Sequence, residues 1–582
     1  MQESIRLYFS FVFPGGGLSS DGQRRSTIIR SGTVCEENSR INDPEMSDLP
    51  EQMLPGVWFH ESVLWVIYAV SVLLALCPWN PGGIPAGLYA DEVQKLNQLR
   101  HLLETGHDMW GLSYPFYDQV YLSLALPWTW VAGVNPASLR TFSVLLIVIS
   151  SLLFFRIGRH YGWDRRLACM GMVLFFLSPS LLTVKRFILE VNALILTLTL
   201  AWFLWLRALE KGTFWTYAAG GLAWGGMTYS YTSARSLVLF YFGFLATGSW
   251  LKKGVHRRGA LVALAAFGIA LIPFVIQIIV FKSLLGGRFG EVSVMKQSGA
   301  SALVTRAPLN YLNIVFVLLW FDGDPNLRHH FGPLGETYLA FLPLVAIGLW
   351  WSWRNRREIR QMFLLWGFCV FPLPAVATKD ALHNLRILHV VPFLVILAGQ
   401  GVRALVRRDL RWKPVVGILM GLALLQGITL AVHYTAAYRT ASSNHYFSGS
   451  FDAIERALEV SRGKRVLVHE CLFIDETGMV DLDRFQFNII HGYGLLLDPL
   501  GLKKDEIEKH RYDHEATYPP GVRVLIMCPT RAFDGNKKDA VARYARMLRI
   551  NPREYRILER WPGWYRGVEH VKWDFLLLEK KG

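Results

Sequence analysis

The sequence predicts a polytopic α-helical membrane protein of about eleven spans, followed by a small extracytoplasmic α/β domain. Three observations lead there. Apolar residues make up 52% of the 582-residue chain and charged residues only 18%, with a mean hydropathy of +0.27. Apolar stretches of about 18 residues or more, each long enough to cross a bilayer, recur through the first three quarters of the chain. The basic residues gather in short runs between those stretches, as the positive-inside rule requires. A net charge of +16 would suggest nucleic acid in a soluble protein. Here its distribution belongs to membrane topology, and a nucleic-acid partner is not expected.

The elements follow in order. Residues 1–55 are polar and glycine-bearing and are expected to be a disordered cytoplasmic tail. The run Leu7–Pro14 has only Arg6 before it and no small-residue cleavage site close after it, a poor fit to a cleaved signal peptide. Residues 56–433 form the expected membrane domain with surface helices, and 434–582 the soluble α/β domain.

Five basic runs, Arg156–Arg166, Arg207–Lys211, Lys252–Arg258, Arg354–Arg360 and Arg403–Lys413, are assigned to the cytoplasmic face. Each interval between them must then cross an even number of times. The expected spans are 63–79, 138–155, 167–184, 188–206, 215–231, 236–251, 260–281, 337–353, 362–378, 386–402 and 414–433. Parity leaves 116–133 and 309–321 lying on the membrane rather than crossing it. Beyond the last span, Val466–His469, Val522–Met527, Tyr555–Leu558 and Phe575–Leu578 have strand character, while Ser450–Val460 and Lys537–Leu548 have helical character.

Of the six cysteines, Cys77, Cys169 and Cys369 lie in apolar segments as small core residues. Spacing gives little support to a Cys471–Cys528 disulfide. No phosphate-binding glycine loop or dinucleotide fingerprint appears, which disfavours an ATP-driven pump. Gly221–Gly225 and Gly417–Gly421 have the small-residue spacing of helix packing.

This topology brings the polar motifs to one face. Asp91 and Glu92 follow the first span and open an amphipathic helix. Acids favour helix N-termini, but a carboxylate beside a span can also act as a general base. Arg140 begins the second span, and Lys185-Arg186 precedes Glu190 and Asn192 at the start of another. A guanidinium there can snorkel to the interface or contact a phosphate. Arg186 and Glu190 share a helix face and can pair with each other. Tyr229 and Arg235 lie in a polar turn between spans. Asp322, Asp324, His329 and His330 make the densest polar segment, and His383 and Arg386 precede the span at 386–402. Two acids and two histidines suit a divalent cation, but their spacing matches neither calcium-loop nor zinc patterns. A substrate-binding or structural loop is the preferred reading, and the metal is left open.

Four stretches resemble a known family: Tyr89-Ala90-Asp91-Glu92, Leu139-Arg140-Thr141-Phe142-Ser143, Gly221 through Arg235, and His383-Asn384-Leu385-Arg386 with Val391-Pro392-Phe393-Leu394. Their order and common face are similar to those of the GT-C fold lipid-linked-sugar glycosyltransferases, which include protein O-mannosyltransferases and the lipid A aminoarabinose transferase. Where the mannosyltransferases carry His-Pro-Pro, this chain has Ser113-Tyr114-Pro115-Phe116, so the subgroup and its acceptor stay open. The resemblance implies an inverting hexosyl- or pentosyltransferase of the cell envelope, set in a bacterial-type cytoplasmic membrane. It would use a polyprenyl-phosphate sugar donor and a lipid, glycan or protein acceptor at the outer face. No cofactor is assigned, and a divalent cation stays open. Asp91 would be the base and Glu92 an orienting or second acid. Arg140, then Arg186, Arg235 and Arg386, would contact the phosphate, with Glu190, Tyr229, Asp322, Asp324 and His383 lining the site. A flippase for a lipid-linked sugar and a non-catalytic assembly factor are the alternatives. No internal repeat of the transporter kind is visible.

Overall fold

The computed structural model describes residues 60–76, 90–105, 119–251, 254–280, 305–325, 329–332, 334–378 and 381–438. In the C-terminal region it describes 457, 460–461, 466–468, 523–529, 555–562 and 573–581. All belong to one compact unit, Gly56–Gly582. The N-terminal tail, the helix expected at 537–548 and Cys471 lie outside the described residues.

The membrane domain is a helical bundle. Its elements are α1 (Glu61–Leu76), α2 (Ala90–Thr105), α3 (Gln119–Ala132), α4 (Pro136–His160), α5 (Arg165–Phe176), α6 (Pro179–Val184), α7 (Val191–Lys211) and α8 (Phe214–Met227). They continue with α9 (Ala234–Leu251), α10 (Val255–Val280), α11 (Phe341–Arg354), α12 (Ile359–Val370), α13 (Leu373–Val376), α14 (Asn384–Ile387), α15 (Val391–Arg408) and α16 (Lys413–His433). Among the described residues, seven helices are long and apolar enough to cross a membrane. Four further expected spans fall on shorter helices: α1 has 16 residues, α5 12, α8 14 and α11 14.

Local sequence sets the helix ends. Asn135 caps α4 by accepting from Ser138 N at 2.9 Å, with Pro136 in the first turn, where its missing N–H costs nothing. Asp164 caps α5 through Leu167 N at 2.8 Å. Gly212 ends α7 in the left-handed region (φ 63°), and Thr213 at once caps α8.

One end of the bundle carries the basic runs and is cross-linked by them. Arg360 donates to His160 O at 2.7 Å, Tyr161 donates to Arg360 O at 3.1 Å, and Arg403 donates to Tyr161 O. His160 pairs with Glu210 at 2.5 Å, and Arg165 with Glu61 at 2.7 Å. The ends of α4, α7 and α15 and the beginnings of α1, α5 and α12 therefore meet there, as the positive-inside assignment expects.

Apolar lipid tails give no hydrophobic drive between helices, so close backbone approach matters. Gly348 of α11 and Gly401 of α15 let those helices touch: a Cβ would lie 1.9 Å from Leu397 O at one and 2.0 Å from Leu344 O at the other. Gly221 and Gly225 do the same for α8 against α10, with Ala263 O and Ala270 Cβ at 2.2 and 2.5 Å. At Gly417–Gly421 no such approach is seen among the described residues. A Cβ on Gly421 meets nothing within 4 Å, because that side of α16 has no described neighbour. Aromatic rings fill the wider gaps, with Trp202 stacked on Phe393 (4.6 Å) and edge-on to Phe363 (5.3 Å).

Pro273 interrupts α10, and the break has a specific filler. The Tyr229 hydroxyl donates to Ala270 O at 2.7 Å and accepts from Phe274 N at 2.9 Å, bridging two groups that an unbroken helix would join directly.

The expected C-terminal strands form a sheet of order β1 (Val466–Val468), β2 (Arg523–Pro529), β4 (Trp573–Lys580), β3 (Tyr555–Pro562). β1 and β2 are parallel and the other pairs antiparallel. Arg556 and Glu579 face each other across β3 and β4 and form an ion pair at 2.5 Å.

Two expectations follow. Gly348→Ala should cost about 1–3 kcal/mol, because the obstacle is a backbone carbonyl, whereas Gly421→Ala should be neutral or stabilising. Thermal unfolding of both variants in detergent checks this, and equal melting points would refute the close packing. Tyr229→Phe should destabilise by about 1–3 kcal/mol by leaving the α10 break unbridged. Unfolding in the same detergent measures it.

Candidate active site

The other end of the bundle gathers the polar motifs, and carboxylates organise it. Glu92, in the first turn of α2, is fully buried. Its carboxylate accepts Arg140 Nε (3.1 Å) and Nη2 (2.9 Å) in a two-pronged pair and also accepts the backbone N–H of Ile188 at 3.1 Å. A buried charge needs such pairing, and here one side chain ties α2 to the start of α4 and to the turn before α7. Lys95, one turn further along α2, pairs with Glu190 at 3.4 Å. By helical spacing, positions 91 and 95 share a face. Asp91 thus occupies the first turn of α2 at this junction.

Arg186 is buried beside the junction. The charges of Arg186, Arg140 and Glu92 all act on Tyr434, at the end of α16. Lys185 turns back instead, donating to Phe176 O at 3.1 Å with its ammonium over the Phe176 ring at 4.1 Å. Burial, then the neighbouring Arg186, pushes its pKa down to about 7. Asn192 ties the turn by donating to Val184 O and Phe187 O.

A second knot lies in residues 321–338. Asp324 N donates to Glu336 Oε1 at 2.9 Å, while Asp324 Oδ2 accepts Asn384 N at 2.8 Å. His329 Nδ1 lies 3.2 Å and His383 Nδ1 3.8 Å from that same oxygen. Asn384 Nδ2 donates to His329 O (2.8 Å) and Ser180 O (3.2 Å), and Thr183 Oγ1 donates to His329 O at 2.9 Å. Ser180 Oγ closes the ring on Glu336 O at 2.6 Å. Gly323 (φ 66°) must be glycine on two counts, since a Cβ would also strike the His330 ring. Burial opposes the charged form of His330, but Glu336 and the Gly332 carbonyl outweigh it and raise its pKa.

The two groups are adjacent. Phe331 stacks on His433 at 4.9 Å and meets Tyr434 at 6.3 Å. α6 carries Ser180 and Thr183 on the loop side and leads directly into Lys185-Arg186.

The structure therefore brings Glu92, Arg140, Arg186 and Glu190 into one group, and Asp324 with His383 into its neighbour; of Asp91 only its backbone position in α2 is described. Arg386, on α14, donates to Thr378 Oγ1 at 2.5 Å. Asp322 is exposed. Tyr229 and Arg235 gather at the α10 break, Arg235 lying 5.1 Å over the Phe274 ring. Sequence reading missed Lys95, Ser180, Thr183, Glu336 and Tyr434. Glu336 had a visible signal, a lone acid at the edge of an apolar segment. Ser180 and Thr183 had none, because small hydroxyls are ordinary in membrane helices. Asp324, His329 and His383 are also a set whose ligand atoms all lie within 4.8 Å of one another, with a donor chemistry that suits a cation.

Residues 124–276 match the family described as dolichyl-phosphate-mannose-protein mannosyltransferase. No curated protein sequence matches the chain. Matches among solved structures include three of low sequence identity. One is the Archaeoglobus fulgidus oligosaccharyltransferase in the apo form, at 14% identity and TM-score 0.46, covering 69% of this chain and 58% of that one. The chain thus spans less than two thirds of that enzyme's length. Another is ArnT from Cupriavidus metallidurans bound to undecaprenyl phosphate, at 11% identity and TM-score 0.49, covering 89% and 98%. The third is the Saccharomyces cerevisiae protein O-mannosyltransferase Pmt1–Pmt2 complex bound to the sugar donor, at 17% identity and TM-score 0.30, covering 39% and 34%. Through the match of residues 124–276 to that family model, the chain resembles the GT-C lipid-linked-sugar glycosyltransferases, as its short motifs led us to expect.

Proposed function

We propose that the protein is an inverting glycosyltransferase that moves a sugar from a polyprenyl-phosphate donor to an acceptor at the outer face of the membrane. The observation that carries this reading is the buried junction of Glu92, Arg140 and the Ile188 amide, with position 91 in the same helical turn and Arg186 beside it. The mannosyltransferase family match over residues 124–276 supports the same class.

The chemistry asks for one base and a cationic seat for the phosphate. The base takes the proton of an acceptor hydroxyl or amine, the acceptor atom bonds to the anomeric carbon, and the bond from that carbon to the phosphate oxygen breaks. The polyprenyl phosphate leaves as an anion, so no acid is needed to protonate it. Direct displacement inverts the sugar carbon. This differs from glycoside hydrolases, most of which use two carboxylates. Asp91 is assigned the base. Glu92 is the orienting acid, since its oxygens already accept Arg140 and Ile188 N. Arg140 spends two N–H groups on Glu92, which moves the main phosphate contact to Arg186, with Arg235 and Arg386 next. Tyr229 is assigned to the α10 break, and Asp322 and Glu190 to the rim. The C-terminal sheet domain is assigned to the same side, where it would help hold a lipid, glycan or protein acceptor.

Labelled sugar transfer from a panel of polyprenyl-phosphate sugars, in membranes at matched expression, tests the reading. Asp91→Asn should lower turnover by about 10²- to 10⁴-fold while donor binding persists. Full turnover in that variant would remove Asp91 as the base, and donor flipping without transfer by the intact chain would favour a transporter. Glu92→Gln should behave differently, destabilising the fold by about 3–5 kcal/mol by stripping Arg140 of its counter-charge. An unshifted melting temperature would show that the pair does not anchor α2.

A further inference from the structure

We propose that Asp324, His329 and His383 bind a divalent cation of the zinc class, with one coordination position open on the His383 side. The three residues come from two stretches of chain far apart in sequence, yet their ligand atoms lie within 4.8 Å of one another. Both imidazoles present Nδ1 to the same carboxylate oxygen, at 3.2 and 3.8 Å. Donor atoms around a tetrahedral zinc ion sit roughly 3.3–3.5 Å apart, so these separations bracket that geometry.

The arrangement has the spacing of a ligand set. Asp324 Oδ2 already accepts the Asn384 N–H at 2.8 Å, and 3.8 Å to His383 is too long for a hydrogen bond. The two rings are stacked, with centroids 4.5 Å apart and planes 30° apart. That stacking holds the two imidazoles side by side against one carboxylate. Their surroundings are those of a built site. Asp324 is oriented by Asn384 N and by its own N–H to Glu336, and the His329 backbone is held by Thr183 and Asn384. Such outer contacts fix ligand direction in metal centres.

The donor set chooses the metal. Two imidazole nitrogens and one carboxylate oxygen suit zinc and its borderline neighbours, whereas calcium and magnesium take oxygen ligands. Three protein ligands leave a position free. Asp324 and His329 are almost fully buried and the His383 side chain is 20% exposed, so the opening lies at His383. A cation there would pin Asp324 and His329 to His383 at the start of α14, and this inference stands whether or not the transferase reading holds.

The test uses the full chain in detergent, stripped with a chelator and titrated with Zn²⁺, Co²⁺, Mg²⁺ and Ca²⁺. We expect one saturable zinc equivalent, a raised melting temperature, and Co²⁺ absorption bands of a four- or five-coordinate nitrogen–oxygen site. His383→Ala, at the open edge, should weaken zinc binding at least about tenfold while leaving the melting temperature of the stripped protein unchanged. His329→Gln should do the same. Saturable binding that survives both substitutions would place the metal elsewhere and overturn the proposal. So would the absence of saturable zinc binding, or a preference for Mg²⁺ or Ca²⁺ over Zn²⁺.

Discussion

The junction of α2, α4 and α7 at the polar end depends on one buried ion pair. Glu92 and Arg140 are both withdrawn from water, and two separated charges there would be costly. Their two-pronged geometry, completed by the Ile188 N–H, satisfies both carboxylate oxygens. Because the three partners belong to α2, α4 and the turn before α7, the pair fixes three chain segments against one another. The position of Asp91 is a consequence, one residue away in the same helical turn. Its proposed role as a base requires that fixed placement, since a base displaced by about 1 Å loses much of its effect.

The same economy governs the loop at 321–338. Its described residues have little regular structure, so their backbone groups need other partners, and in a membrane protein unsatisfied groups are expensive. Glu336, Asp324, Asn384, Ser180 and Thr183 supply them. The loop is ordered by side chains from three places in the sequence. At the opposite end the work is done by arginines on backbone carbonyls, as Arg360 on His160 and Arg403 on Tyr161 show. Between the ends, glycines and stacked aromatic rings set the helix spacing. The bundle therefore has two ends of different chemistry, one basic and one with acids, histidines and buried arginines.

The sequence by itself determined the helical membrane class, the sorting of basic runs to one end, the gathering of acids and arginines at the other, and the four C-terminal strands. These are legible because they rest on composition, periodicity and charge placement, which need no knowledge of long-range contact. Tertiary structure alone decided the partners. Nothing in the sequence says that Arg140 answers Glu92 rather than a phosphate, that Tyr229 repairs a break in α10, or that His383 joins His329 at Asp324. Nor does glycine spacing reveal that Gly221 touches a neighbour and Gly421 does not. In each case the deciding contact spans tens of residues, and a side chain's partner follows from which helices pack together.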